Sequence, residues 1–350
     1  MPPTTSLRVG VPPLLVGLPQ QISVGRIWSH VLAGLDAAGA RVVVVEPTAR
    51  RWRGPRVDVW LTDGHQGPID VRAPVVAHLL EATWADPELR PLFEPEFLAT
   101  YEGPSAAAAR ASRRVITLSN SSKDQIVRAY GCDPDRVDVV HNGVDHAVYR
   151  PGLEAPGPLL AAAGGDPERP YVLFVSVVHP RKNLGALRTA MGGLAARGLP
   201  HALVLVAGPA ADRANSAELA AAAVAPIDGA PAVINLAGAP DADVARLMSG
   251  AAAFCLPSLM EGFGMAVAEA MACGAPVVVS DRGALPEVVG DGGVVVPPTA
   301  EAIEGALADL FQNPVGTQEL RARGVARAAT FTWEHTVAGF LAALEAAAGS

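Results

Sequence analysis

Residues 258–278 read SLMEGFGMAVAEAMACGAPVV, and the order of features in this stretch decides the fold. A turn through Glu261-Gly262-Phe263-Gly264 runs into an alanine-rich apolar helix. Gly274 and Pro276 end that helix, and a valine run that reads as a buried strand comes next. Turn, helix and strand in this order form the repeating unit of a parallel α/β sheet.

Two carboxylates, Glu261 and Glu269, stand eight positions apart within the same stretch. A helix start offers unpaired N–H groups and a positive dipole end, which suit phosphate. Carboxylates beside such a site would repel phosphate, so they are read as acceptors for sugar hydroxyls. Glu269 sits between Ala268 and Ala270 on a helix apolar on nearly all sides, where an unpaired carboxylate would be costly. Phosphate together with hydroxyls points to a nucleotide sugar.

Outward from this stretch the same alternation fills the chain. Short β-branched runs at 7–11, 41–45, 57–61, 74–78, 114–118 and 137–140 are expected as strands, with helices at 25–38 and 121–129 among them. Residues 151–170 hold five prolines and four glycines and read as a linker. Strands are expected again at 171–178, 203–207, 232–236, 252–256, 276–280 and 293–296. Helices are expected near 184–197, 213–224, 241–250, 264–272 and 301–312. Two doubly wound domains are therefore expected, 1–160 and 161–330, with a final helix over 331–350 packing back on the first. Ligands of such sheets bind beyond the carboxyl ends of the strands, so the chemistry is expected in a cleft faced by both domains.

Composition narrows the function class. The 350 residues are half hydrophobic, enough for two cores. The 27 basic and 35 acidic residues give a net charge of -8, which argues against a nucleic-acid binder. Cys132, Cys255 and Cys273 form no CxxC pair and are odd in number, as expected in a reducing compartment. No signal peptide or membrane-spanning run is read, so a cytoplasmic protein is expected. Arg50, Arg51, Arg53 and Arg56 crowd one segment, read as a solvated loop in preference to a contact with an anionic lipid surface.

A second motif, His179-Pro180-Arg181-Lys182-Asn183-Leu184, comes after the strand YVLFVSV. Its guanidinium and mobile ammonium together suit a diphosphate. Ser258 could cap the helix or touch phosphate, and Gly262 and Gly264 would let backbone approach a ligand. The expected arrangement sets these cations across the pocket from Glu261. In the first half, Val75-Val76-Ala77-His78 brings a histidine to a strand's carboxyl end, and Asp63-Gly64-His65 could meet an acceptor or form a turn. A nicotinamide oxidoreductase is disfavoured because Val9-Gly10-Val11-Pro12-Pro13 replaces GxGxxG after the first strand. The nucleotide-hydrolase loop GxxxxGK[ST] is absent too. A glycosidase is disfavoured because both carboxylates lie on one segment.

The 258–278 stretch closely resembles the nucleotide-binding signature of the retaining glycosyltransferases of family 4 (group 1, mannosyltransferase-like), whose fold is the two-domain GT-B architecture. HPRKNL resembles that family's basic phosphate motif, Ala207-Gly208-Pro209 its strand-end loop, and Asn142-Gly143-Val144-Asp145 the motif before its interdomain linker. The resemblance implies that Arg181 and Lys182 bind the donor diphosphate, Glu261 contacts the donor sugar and Glu269 the ribose hydroxyls. Gly208, Ser258, Gly262, Phe263 and Gly264 would surround the donor, with His78 near the reacting sugar and Gly25 near donor and acceptor. Ser176 stands where the family usually has Gly, and Leu79 where it usually has Asp. The resemblance thus implies a metal-independent hexosyltransferase with no cofactor beyond its co-substrate, GDP-mannose first and a UDP-hexose close behind. Its acceptor would be a glycan, a lipid-linked sugar or a small molecule, with a peripheral contact at the inner membrane face if lipid-linked. A non-catalytic sugar-nucleotide-binding or scaffold protein of the same fold is the alternative.

Overall fold

The computed structural model describes residues 7–19, 23–46, 56–199, 201–208 and 216–349. Arg50, Arg51, Arg53, Pro209 and the start of the helix expected at 213–224 lie outside them. The chain divides into two compact units. One takes the described residues up to Gly143 together with those from Phe331 onward, and the other runs from Val144 to Thr330.

The first unit holds β1 (Arg8–Val11), α1 (Ser23–Ala37), β2 (Arg41–Val44), β3 (Val59–Asp63), β4 (Val75–His78), α2 (Pro95–Ala111), β5 (Arg114–Thr117), α3 (Asn120–Tyr130) and β6 (Val137–Val139). Its six strands pair in parallel in the order β2-β1-β3-β4-β5-β6. Strand order reverses between β1 and β3, so their carboxyl ends open a crevice there.

The second unit holds α4 (Gly157–Ala162), β7 (Tyr171–Val175), α5 (Leu184–Ala196), β8 (Ala202–Val206), α6 (Ser216–Ala223), β9 (Ile234–Asn235), α7 (Asp241–Gly250), β10 (Ala253–Leu256), α8 (Met265–Ala272), β11 (Val277–Ser280), α9 (Leu285–Val289), β12 (Val294–Val296), α10 (Ala300–Gln312) and α11 (Pro314–Ala328). Its strands are also all parallel, ordered β12-β11-β10-β7-β8-β9. Counted from β7 this is the 3-2-1-4-5-6 order of dinucleotide-binding sheets, and its switch point falls between β7 and β10.

Central strands such as β10 and β11 are buried at every residue, because helices cover both faces of a parallel sheet. Small side chains let α8 lie close on the sheet, and Val267 to Ala272 are all buried. The proline-rich segment read as a linker contains α4, which seats Leu160 in the second unit's core.

The last helix, α12 (Trp333–Ala348), packs on α1 and on β3, β4 and β5. Trp333 stacks on His30 with ring centroids 4.2 Å apart, and Phe340 meets Trp28 edge to face at 6.5 Å. The Thr336 hydroxyl donates to the His141 carbonyl at 2.8 Å. No helix among the described residues is long and apolar enough to cross a membrane. All three cysteines are free and buried.

Candidate active site

At the switch point of the second sheet, the chain leaving β7 enters a 3-10 turn, Pro180–Lys182. His179 caps it, its Nδ1 accepting the Arg181 N–H at 2.9 Å. The turn docks on the loop that leaves β10. Leu259 N–H donates to the Arg181 carbonyl at 2.8 Å, and Arg181 Nη1 donates to the Met260 carbonyl at 2.6 Å.

These contacts bring the two motifs into one charged cluster. Lys182 Nζ lies 2.7 and 2.9 Å from Glu261 Oε1 and Oε2, and Arg181 Nη1 stands 3.6 Å from Oε2. The Ser258 hydroxyl donates to Glu261 Oε1 at 2.6 Å. Lys182 and Glu261 are only 8% and 7% exposed, so the pair sits largely outside water. Burial pushes the Glu261 carboxyl up. The charges of Lys182 and Arg181, with the Lys182 and Ser258 hydrogen bonds, outweigh it and hold the group below the usual carboxylate range.

The end of β11 and the loop after it support the cluster. Ser280 Oγ donates to the Ser258 carbonyl, and Ala284 N–H donates to the Glu261 carbonyl at 3.0 Å. Gly283 has φ +59°, and a Cβ there would fall 2.6 Å from the Glu261 carbonyl oxygen and 2.7 Å from its nitrogen. Only glycine fits against that backbone.

The sequence expectations therefore meet an altered geometry. Arg181, Lys182, Ser258 and Glu261 come together as read from their motifs, but the cations do not stand across a pocket from Glu261. They are bonded to it. Gly262 and Phe263 are buried in the turn that comes next, and Gly264, at φ +93°, caps α8. Glu269 lies on α8, 5% exposed. Burial and the Glu269 charge push the Cys273 thiol up to about 12. Gly208 lies beyond β8, and its carbonyl accepts the Val178 N–H at 2.8 Å. Among the described residues nothing lies within 4 Å of where its Cβ would stand.

In the first unit, His78 ends β4 inside an aromatic cluster, its ring centroid 5.4 Å from Trp28 and 5.2 Å from Phe340. Among the described residues its buried Nε2 has no hydrogen-bond partner. Burial, assisted by the charge of His65, pushes the ring down to about 3, so His78 is neutral near pH 7. Gly25 sits in the first turn of α1, where a Cβ would collide with the Pro19 carbonyl oxygen. Close packing of its own chain accounts for that glycine.

Asp63-Gly64-His65 resolves as a turn. Asp63 caps it by accepting the His65 N–H at 2.9 Å. The His65 Nε2 accepts the Leu80 N–H at 3.1 Å, which makes Nδ1 the donor to Ser105 Oγ at 2.8 Å. Both ring nitrogens are thus used internally.

Two surface depressions of the second unit, of about 490 and 740 Å³, lie elsewhere. Ala202 and Ile234 line the first and Tyr171 the second, all at the amino ends of their strands, whereas the charged cluster sits at the carboxyl ends where open α/β sheets bind ligands. Among the described residues no group of three or more His, Cys, Asp and Glu is placed to hold a metal ion.

Sequence reading missed Asn183, Ser280 and Gly283 as parts of this site. Their work is done on neighbours distant in sequence. An asparagine between a basic turn and a helix was the one visible signal.

Comparison with known proteins agrees with this layout. A family described as glycosyl transferases group 1 matches residues 161–330, and one described as glycosyltransferase family 4 matches 75–148. The D-inositol 3-phosphate glycosyltransferase of Segniliparus rotundus is 32% identical over 82% of this chain and 63% of its own length. The alpha-maltose-1-phosphate synthase of Mycolicibacterium smegmatis is 34% identical over 74% of this chain and 70% of its own length. The chain thus spans 50% to 70% of the length of these curated relatives, 50% in the case of the Mycobacterium marinum D-inositol 3-phosphate glycosyltransferase.

Among solved structures, sucrose-phosphate synthase from Thermosynechococcus elongatus superposes with a TM-score of 0.72 at 18% identity, over 96% of this chain and 98% of its own. Anabaena HepE in complex with UDP-glucose gives 0.72 at 18% identity, over 97% and 100%. At such identities the likeness shows the fold, which is the two-domain GT-B architecture. With its signature residues gathered at the switch point, the chain belongs to the group 1 glycosyltransferases of family 4.

Proposed function

We propose that this chain transfers a hexose from a nucleoside diphosphate sugar to an acceptor, with retention of configuration and without a metal ion. The observation that carries the reading is the Arg181–Lys182–Glu261 cluster at the switch point of a dinucleotide-type sheet. Two cations against one carboxylate leave a net charge of +1, ready for an anion. An arriving diphosphate is the stronger partner for Lys182, and its binding frees Glu261 to accept hydrogen bonds from sugar hydroxyls. As the sugar departs, Arg181 and Lys182 stabilise the charge that grows on the diphosphate. A metal has no part in that step because the side chains neutralise the phosphates. Retention rests on the family resemblance.

GDP-mannose and UDP-glucose are the two candidate donors, and the HepE complex with UDP-glucose supports the second. The names of the relatives, one acting on an inositol phosphate and one forming maltose 1-phosphate, favour a small phosphorylated acceptor over a glycan or a lipid-linked one. A peripheral membrane contact belongs only to the lipid-linked case. The test is a panel of sugar nucleotides scored for thermal stabilisation, then for nucleotide release when inositol phosphate or glucose 1-phosphate is added, with and without chelator. One donor should both stabilise and turn over, and the chelator should change neither. Stabilisation without release, whatever acceptor is supplied, would favour the non-catalytic reading. No stabilisation by any sugar nucleotide would refute the assignment.

A further inference from the structure

We propose that Asn183 is a positioning residue for the diphosphate cations, its side-chain amide holding the turn that carries Arg181 and Lys182 in register with the loops beyond β10 and β12. The inference rests on the diphosphate role given to those cations above.

Asn183 is the one non-glycine residue with positive φ among the described residues, at φ 54° and ψ 34°. It ends the 3-10 turn, donating its N–H to the Pro180 carbonyl at 3.0 Å, and begins α5. From this left-handed position its Nδ2 donates twice, to the Pro257 carbonyl at 3.1 Å and to the Pro298 carbonyl at 2.9 Å. Pro257 immediately precedes Ser258, and Pro298 precedes Thr299, the cap of α10. One amide therefore ties together the chain leaving β7, the chain leaving β10 and the chain leaving β12.

The residue type answers both demands of the position. Asparagine is among the few side chains that tolerate left-handed backbone, and its NH₂ carries two donors for two acceptors. Glycine would meet the backbone demand alone. Aspartate would tolerate the backbone but present an oxygen to two carbonyl oxygens.

The consequence falls on the preceding residue. Lys182 must place Nζ within 3 Å of both Glu261 oxygens from a turn that Arg181 also docks. Loss of the Asn183 amide removes the tie to the chains leaving β10 and β12, and the cation heads move relative to Ser258 and Glu261. A shift of about 1 Å in such a group can cost on the order of 100-fold in rate.

The experiment uses the full chain as wild type, Asn183→Gly and Asn183→Asp, with UDP, UMP, GDP and GMP as calorimetric probes. Wild type should prefer the diphosphate of one base over its monophosphate. Asn183→Gly, which keeps the backbone conformation, should lose about tenfold in diphosphate affinity through misplaced cations while monophosphate affinity holds. Asn183→Asp should show the same selective loss. A diphosphate preference that survives in both variants overturns the positioning role alone, and so does an equal loss for both nucleotides, which a merely structural residue would produce. A wild type that prefers neither diphosphate refutes the cation assignment itself, and the role of Asn183 falls with it.

Discussion

Replacing Lys182 with methionine removes the nearer cation of a buried ion pair while keeping an unbranched side chain of similar length. Deleting one partner of such a pair costs about 3–5 kcal/mol, because the other charge stays buried. Glu261 here retains Arg181 at 3.6 Å and the Ser258 hydroxyl at 2.6 Å, so the lower end of about 3 kcal/mol is expected. At about 2–4 °C per kcal/mol for a domain of this size, the melting midpoint of the second unit should fall by about 6–12 °C. Lys182→Met with Glu261→Leu should recover most of the loss, since an apolar replacement of both partners is often nearly neutral. All five tryptophans, at 28, 52, 60, 84 and 333, lie outside Val144–Thr330. The assay must therefore be calorimetry or amide exchange along β7 and β10 in place of fluorescence. The linkage has a definite sign. The Glu261 carboxyl is held below its ordinary 4.5, so its contribution is complete above that pH and is lost as the pH falls through the depressed value. A single Lys182→Met variant within about 0.5 kcal/mol of wild type, or a double variant whose costs simply add, would refute the account of a coupled buried pair.

Three further outcomes are expected from the same geometry. Arg181→Ala should weaken nucleoside diphosphate binding by about 1.5–3 kcal/mol, measured by calorimetry, with the fold intact by circular dichroism. Gly283→Ala places a methyl group against the Glu261 backbone at a positive φ and should destabilise the second unit by about 1–3 kcal/mol, with turnover falling alongside it in the donor assay. His78, pushed down to about 3 by burial, is neutral in the folded chain where the unfolded chain would be protonated. The stability of the first unit should thus drop as the pH falls from 6.5 toward 3, by up to about 1.4 kcal/mol per pH unit, and His78→Phe should flatten that slope in denaturant titrations monitored by tryptophan fluorescence.

Most strands were legible as short runs of β-branched and other apolar residues between turn signals, as in Val277–Ser280 after Gly274 and Pro276. Some helices were not. The α2 segment contains Gly103-Pro104, which reads as a break, yet the helix continues through Pro104. The α11 segment begins on Pro314 and carries Gly316 and Gly324 among polar residues, so its apolar stripe is weak. The motif residues of the site announced themselves by charge and spacing. Their bonding did not, since Lys182 and Glu261 are 79 positions apart and meet only because β7 and β10 are neighbours in the sheet. Gly283 was silent for the same reason, and Asn183 showed only as an asparagine between a basic turn and a helix: their roles are set by what the folded chain brings against them.

The placement of α12 bears on the order in which the molecule is assembled. Its Phe340 closes the aromatic cluster around Trp28 and His78, so the first unit is completed by residues synthesised after the whole of the second. The second unit is continuous and has its own sheet to close as soon as β12 is made. During synthesis the unit encoded first must therefore wait, with the face that receives α12 uncovered, until all of Val144–Thr330 has been made. Apolar surface left uncovered over that interval is open to misassembly.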